Sequence, residues 1–344
     1  MAGVSPPEGA MARASVESAS PASDDVAVPP RPRFPLRAWL PLVLFAALAL
    51  VPPLAILTGA EGYFVGFATR VVALAIAAVA LDLVIGYAGL VSFGHAAFLG
   101  IGAYAVAIMG EEGVESLLVI LPVALAASAA FAALTGAISL RTSGVYFIMI
   151  TLAFAQMLFF TLSSLSAYGG DDGVTLWYLP TVLGADPLSD PSVLFYVALL
   201  ALAAAYALCR WMVGTRFGRV LRAARENPVR VAAVGHDVFR HRLVAYTVSG
   251  TIAGAAGVLL ALQAEYVSPA IAAWPRSGDL IFMVVLGGMG SLHGAILGAV
   301  AFVVLEEALS EITQHWPLVF GPFLILVVLF ARGGLVGLLD RIGR

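Results

Sequence analysis

Apolar runs of about 20 residues recur along this chain, separated by short polar, acidic or glycine-rich breaks. Ten of them read as membrane spans, at roughly 38–58, 66–86, 90–109, 117–138, 144–165, 192–212, 243–263, 278–289, 294–310 and 318–331. A transmembrane β-barrel would alternate polar and apolar positions, and that alternation is absent. The predicted class is all-α, a polytopic membrane protein with about ten transmembrane segments and both termini in the cytoplasm. Glycine-rich sequence in the third, eighth and ninth runs predicts broken or re-entrant helices there. Residues 1–33, rich in Ala, Pro, Ser and acids, predict a disordered cytoplasmic tail. They do not read as a signal peptide, because the first apolar run begins only near Trp39 and is long enough to span. The transmembrane domain is expected over 34–332, with an external loop at 166–191, a cytoplasmic loop at 214–242 and a cytoplasmic C-terminal tail at 333–344.

Charge tests this parity independently of hydropathy. Arg31, Arg33, Arg37, Arg141, the arginines from Arg210 to Arg242, Arg332, Arg341 and Arg344 all fall on one predicted side. Arginine excess marks the cytoplasmic side, and only Arg70 and Arg276 fall near the other face. The composition agrees: 61% of residues are hydrophobic and 11% charged, with a mean hydropathy of +0.99. All eighteen basic residues are arginine. Without lysine the chain carries no Walker A loop and no Schiff-base chemistry. Cys209 is the only cysteine, so no intrachain disulfide or paired-cysteine metal site is available. No HExxH or GxSxG occurs, and no catalytic, cofactor-binding or metal-binding residue is predicted.

Two glycine-rich motifs fall inside the apolar runs. Gly86 to Tyr104, GYAGLVSFGHAAFLGIGAY, holds five glycines and a histidine. Such a segment either packs helices tightly or unwinds to line a path. Leu286 to Gly298, LGGMGSLHGAILG, ends one span and turns into the next. The candidate path residues are Gly89, Ser92, Gly94, His95, Gly287, Gly288, Gly290 and Ser291. For His95, a neutral ring bonded to a neighbouring helix stands beside a transport role. The stretches 92–100 and 291–298 look alike and hint at an internal repeat. Asp82, Asp279, Glu306 and Glu307 also lie in or beside spans; Asp82 falls near the expected cytoplasmic end of its span and Glu306 and Glu307 near an outer end, where a charged side chain can snorkel.

The loop at 214–242 sets seven arginines against two acids, Glu226 and Asp237. Val220 to Glu226 is expected to continue the sixth span as helix. Asn227-Pro228 stops it and restarts a helix, Asn227 as cap and Pro228 as first residue. Gly235 then terminates it. The result is a short helix over 228–234, about 10 Å long, with Val229, Val231, Ala232, Ala233 and Val234 free to dock. Anionic lipid headgroups would account for the arginines, but not for a capped helix of small residues among them.

Four segments together resemble the permease subunits of branched-chain amino-acid ABC transporters, in particular the LivM-like type. They are GYAGLVSFGHAAFLGIGAY at 86–104, GVYFIMITLAFAQML at 144–158, the run from FGRVLRAARENPVRVAAVGHD to GVLLA at 217–261, and VLGGMGSLHGAILGA at 285–299. They stand in the family's order over most of residues 70–310. The resemblance implies a transport subunit of a bacterial inner-membrane importer, not an enzyme. ATP and Mg²⁺ would then sit in partner subunits. The implied partners are a LivH-like permease, two cytoplasmic ATPases, an extracytoplasmic binding protein and membrane lipid, with no nucleic acid. ATPase coupling maps onto Arg222, Arg225, Glu226, Asn227, Arg230, Ala232, Ala233, Gly235, His236 and Asp237. The external GGDDG at 169–173 and His236-Asp237 depart from the usual pattern, which leaves urea and short amides open as substrates. A stand-alone transporter driven by ions through Asp82 or His95 is the alternative from another class.

Overall fold

A computed structural model describes residues 36–342 apart from 60, 178, 183, 314, 331 and 332. The tail expected at 1–33, Arg332 and the terminal Arg344 lie outside the described residues. The first span is α1 (Leu36–Ala49) and α2 (Val51–Thr58), and the second is α3 (Glu61–Asp82), extended by a π-turn over Leu83–Tyr87. After an unwound stretch come α4 (His95–Glu111), α5 (Leu117–Ser139) and α6 (Val145–Ser163). The external segment leads to α7 (Pro191–Gly214), followed by α8 (Arg216–Glu226) and α9 (Pro228–Ala233). The rest is α10 (Val238–Ala264), α11 (Trp274–Gly287), α12 (Leu292–Ile312), α13 (Trp316–Phe330) and α14 (Gly334–Ile342).

Seven of these stretches are long and apolar enough to cross a membrane. The expected spans at 90–109, 278–289 and 318–331 are the shorter helices α4, α11 and α13. Helix α3 forms the centre. From Val71 to Ile85 it is buried on every side, as a helix apolar all round must be. Alanines at 73, 75, 77, 78 and 80 leave room for α7, α10 and α12 to pack against it. Helices α4 and α10 cross closely, because a methyl group at Gly102 would overlap the Gly254 carbonyl. Helices α5 and α6 stay largely exposed to the surrounding lipid.

The third run is broken, as the glycines predict: helix ends at Tyr87 and restarts at His95. The eighth is short, because the chain after α10 turns back toward the core. Its 3₁₀ turn over Pro269–Ala272 packs on Gly100 of α4 before α11 begins. The ninth run departs from expectation, since α12 is one unbroken helix. Its Gly294 and Gly298 serve close packing on α11, facing the backbone at Gly287 and Met283. The sixth span does not run on into 220–226 either. Thr215 adopts an extended conformation that ends α7, and α8 starts afresh.

Contacts between loops distant in sequence join loops that the charge-based parity expects on one face. On the face expected to be external, Val174–Thr175 pairs antiparallel with Tyr266–Val267, and Ser116 bridges Thr181. Tyr168 donates to Glu112 at 2.9 Å, and that carboxylate pushes the phenol's pKa up. Arg70, one of two arginines assigned to this face, pairs with Glu306 at 3.1 Å, and Tyr63 donates to Glu307 at 2.6 Å. The other, Arg276, pairs with Asp279 at 3.5 Å. On the face expected to be cytoplasmic, Gly290 donates to Asp82, and Arg242 donates to the Ala224 carbonyl.

Candidate functional site

The path residues fall into two groups, one at the start of α4 and one at the turns that follow α3 and α11. A helix that begins inside a membrane leaves first-turn N–H groups without water to satisfy them. Here hydroxyls from several elements do so. Ser92 Oγ accepts from the Gly94 N–H at 3.2 Å, and Ser277 of α11 accepts from the Ala96 N–H at 2.9 Å. Thr151 of α6 accepts from the Phe93 N–H at 3.3 Å. This is what permits the break, and neither Ser277 nor Thr151 carries a motif that marks it in the sequence.

His95 is fully buried, with Phe98 and Tyr246 edge-on to its ring. Its Nε2 lies 2.8 Å from Ser249 Oγ. Ser249 donates its single proton to the Ala80 carbonyl, so the imidazole Nε2–H must be the donor to Ser249. The ring thus links α4, α10 and α3, leaving Nδ1 a buried acceptor with no partner among the described residues. The bond to a neighbouring helix is made, through a serine hydroxyl and not directly to backbone.

The second group lies at the C-terminal end of α3. Gly290, in a positive-φ turn, donates its N–H to Asp82 Oδ1 at 2.7 Å. Arg225 of α8 donates from Nη1 to the Gly86 carbonyl, and its side chain lies over Gly89, where a Cβ would sit 2.7 Å from Arg225 Cγ. Ser291 donates to the Gly288 carbonyl at 2.8 Å, and Gly288 packs against Gly333 and Gly334 at the start of α14. Gly287 belongs to the α11–α12 crossing, facing the Gly294 backbone. The look-alike stretches 92–100 and 291–298 therefore begin comparable helices, α4 and α12, each behind a glycine turn.

The basic loop separates into parts with different work. Arg222 donates to the Gly218 and Val213 carbonyls, both at 3.3 Å, and holds α8 against the end of α7. Glu226 ends α8 in solvent. Asn227 caps α9, accepting from the Arg230 N–H at 2.9 Å. The helix spans Pro228–Ala233, one residue shorter than expected, and Gly235 follows with φ 89°. Val229, Arg230, Ala232, Ala233 and Val234 are exposed. Val231, expected to be free for docking, instead turns inward and is buried. His236 rests edge-on against His241, and Asp237 caps α10 by accepting from the Arg240 N–H at 3.0 Å. Among the described residues no cluster of His, Cys, Asp and Glu could hold a metal ion.

What this geometry can do is mechanical. An exposed capped helix stands one residue from α8, and α8 reaches both glycine turns through Arg225. The family described as "Branched-chain amino acid transport system / permease component" matches residues 63–332. The high-affinity branched-chain amino acid transport system permease protein LivM of Salmonella typhimurium is 29% identical over 295 residues, covering 79% of this chain and 69% of its own. The protein of the same name from Escherichia coli is 28% identical over 318 residues, 86% of this chain and 74% of its own. The autoinducer 2 import system permease protein LsrC of Klebsiella pneumoniae is 31% identical over 173 residues, 47% of this chain and 46% of its own. No solved structure matches.

Proposed function

From the premise that this chain belongs to the branched-chain amino acid transport permease family and is a multi-pass inner-membrane protein, we propose that it is one permease subunit of an ATP-driven importer of branched-chain amino acids. Its partners would be a LivH-like permease, two cytoplasmic ATPases and an extracytoplasmic binding protein. ATP and Mg²⁺ would bind the ATPases, consistent with a chain that has no lysine for a Walker A loop. The observation that carries the proposal is α9, a capped helix presenting Val229, Ala232, Ala233 and Val234 to the cytoplasm. An amphipathic patch of this size, rimmed by arginines, fits a groove on a partner protein.

The test is reconstitution of the complete importer in proteoliposomes, with radiolabelled leucine as the probe and urea as the competing substrate. ATP-dependent leucine uptake that needs the ATPases is expected. Uptake by this chain alone under an ion gradient would overturn the proposal, and uptake of urea but not leucine would move the substrate. Within the complex, Ala232→Glu should uncouple ATP hydrolysis from uptake while the subunit still inserts and assembles. Unchanged transport would remove α9 from the coupling contact.

A further inference from the structure

The buried end of α3 holds a bond that is only half made. Asp82 is fully buried. Its Oδ1 accepts from Gly290, while among the described residues Oδ2 has no hydrogen-bond partner. Arg225 reaches the same turn, its Nη1 3.9 Å from where a Gly290 Cβ would sit, yet among the described residues it forms no ion pair with Asp82. The guanidinium, with five donors available, gives its one bond to the Gly86 carbonyl. Gly86 lies directly between the parties, because a Cβ there would run into both Asp82 Oδ1 and the Gly290 backbone. One arginine from the cytoplasmic loop, one carboxylate from the central helix and two glycine turns therefore share a single point.

A buried carboxylate oxygen without a donor is strongly unfavourable, and the cation on the Gly86 carbonyl stands beside the same glycine. We propose that Asp82 and Arg225 form a latch that is open in this structure and closes in the other access state, when the guanidinium passes from the Gly86 carbonyl to Asp82 Oδ2. The latch rests on the importer reading above and adds the residues that would carry movement inward. Only Asn227 separates α9 from α8, so displacement of α9 moves Arg225. Closing ties α8 to α3 and, through the Gly290 N–H, to the α11–α12 turn. It also releases the Gly86 carbonyl beside the break that leads to α4. Asp82 is thus a positioning residue and touches no substrate. Packed glycine turns that admit two discrete arrangements are the kind of bistable element such switching requires.

The experiment uses the complete reconstituted importer with radiolabelled leucine and measures uptake and ATP hydrolysis together. Asp82→Asn keeps the side chain's size and its acceptor for Gly290, and removes the charge. Uptake is expected to fall about tenfold while hydrolysis stays within about twofold, so that transport per ATP collapses. Arg225 is an exposed residue, so Arg225→Gln carries the same test without endangering the core, and Arg225→Lys should recover part of the loss. The double variant should be no worse than either single one, as expected when two residues act as a unit. Unchanged transport per ATP in Arg225→Gln, or losses that simply multiply in the double variant, would overturn the latch while leaving the importer intact. Wild-type uptake that needs no ATPase would overturn the importer reading, and the latch with it.

Discussion

At Gly102 a single methyl group decides whether two helices can touch. Its Cα faces the Gly254 carbonyl across the α4–α10 crossing, and the backbone on the other side cannot move aside as a flexible side chain could. Gly102→Ala is therefore expected to destabilise the protein by about 1–3 kcal/mol, the usual range for overpacking. Gly62, in the first turn of α3, has open space within 4 Å of where a methyl group would sit, and no positive φ. There Gly62→Ala should leave stability unchanged or raise it by up to about 1 kcal/mol through helix propensity. Thermal unfolding in detergent, followed by intrinsic fluorescence, separates the two outcomes; equal shifts would mean that the crossing has room for the extra methyl. Ser249→Ala makes the companion case. It would leave the His95 Nε2–H and the Ala80 carbonyl without their shared hydroxyl, a loss of about 1–3 kcal/mol for buried polar groups.

Among the elements, α9 is the one whose sequence states its own limits. Asn227, Pro228 and Gly235 are respectively a cap, a first residue and a terminator, and local backbone chemistry alone places them. Asn227→Ala should weaken the helix by about 1 kcal/mol and lower leucine uptake per ATP hydrolysed in the reconstituted importer, with hydrolysis itself retained. Uptake per ATP equal to wild type would separate the cap from coupling. What could be read from sequence here was local or periodic: the spans, the break before α4 and this capped helix. What could not be read depended on neighbours far along the chain. The inward turn of Val231 is invisible until α9 is seen against the rest of the protein. Hydroxyls of Ser277 and Thr151 look ordinary in their own helices and gain meaning only at the start of α4. Glycines in α12 read as a break because composition cannot distinguish a glycine that unwinds a helix from one that lets another helix approach.

For the whole molecule, the side on which the basic loop lies depends on α4. That helix has 17 residues, about 25 Å at 1.5 Å per residue, against a hydrocarbon core of about 30 Å. If only the seven long helices crossed, α5 would start from the cytoplasm, and the 166–191 and 214–242 loops would exchange sides. The arginine distribution opposes that exchange. The unwound residues before His95 supply the missing length, and the hydroxyls around them make the short helix tolerable. Two variants, each with one added cysteine, decide the matter, because the native Cys209 is buried and gives little background. Trp177 and Val234 are 81% and 74% exposed, so cysteine at either place is open to reagent. In intact spheroplasts a membrane-impermeant maleimide should label Trp177→Cys at once and Val234→Cys only after permeabilisation. The reverse pattern would mean that α4 does not cross, and would move α9 away from any cytoplasmic ATPase.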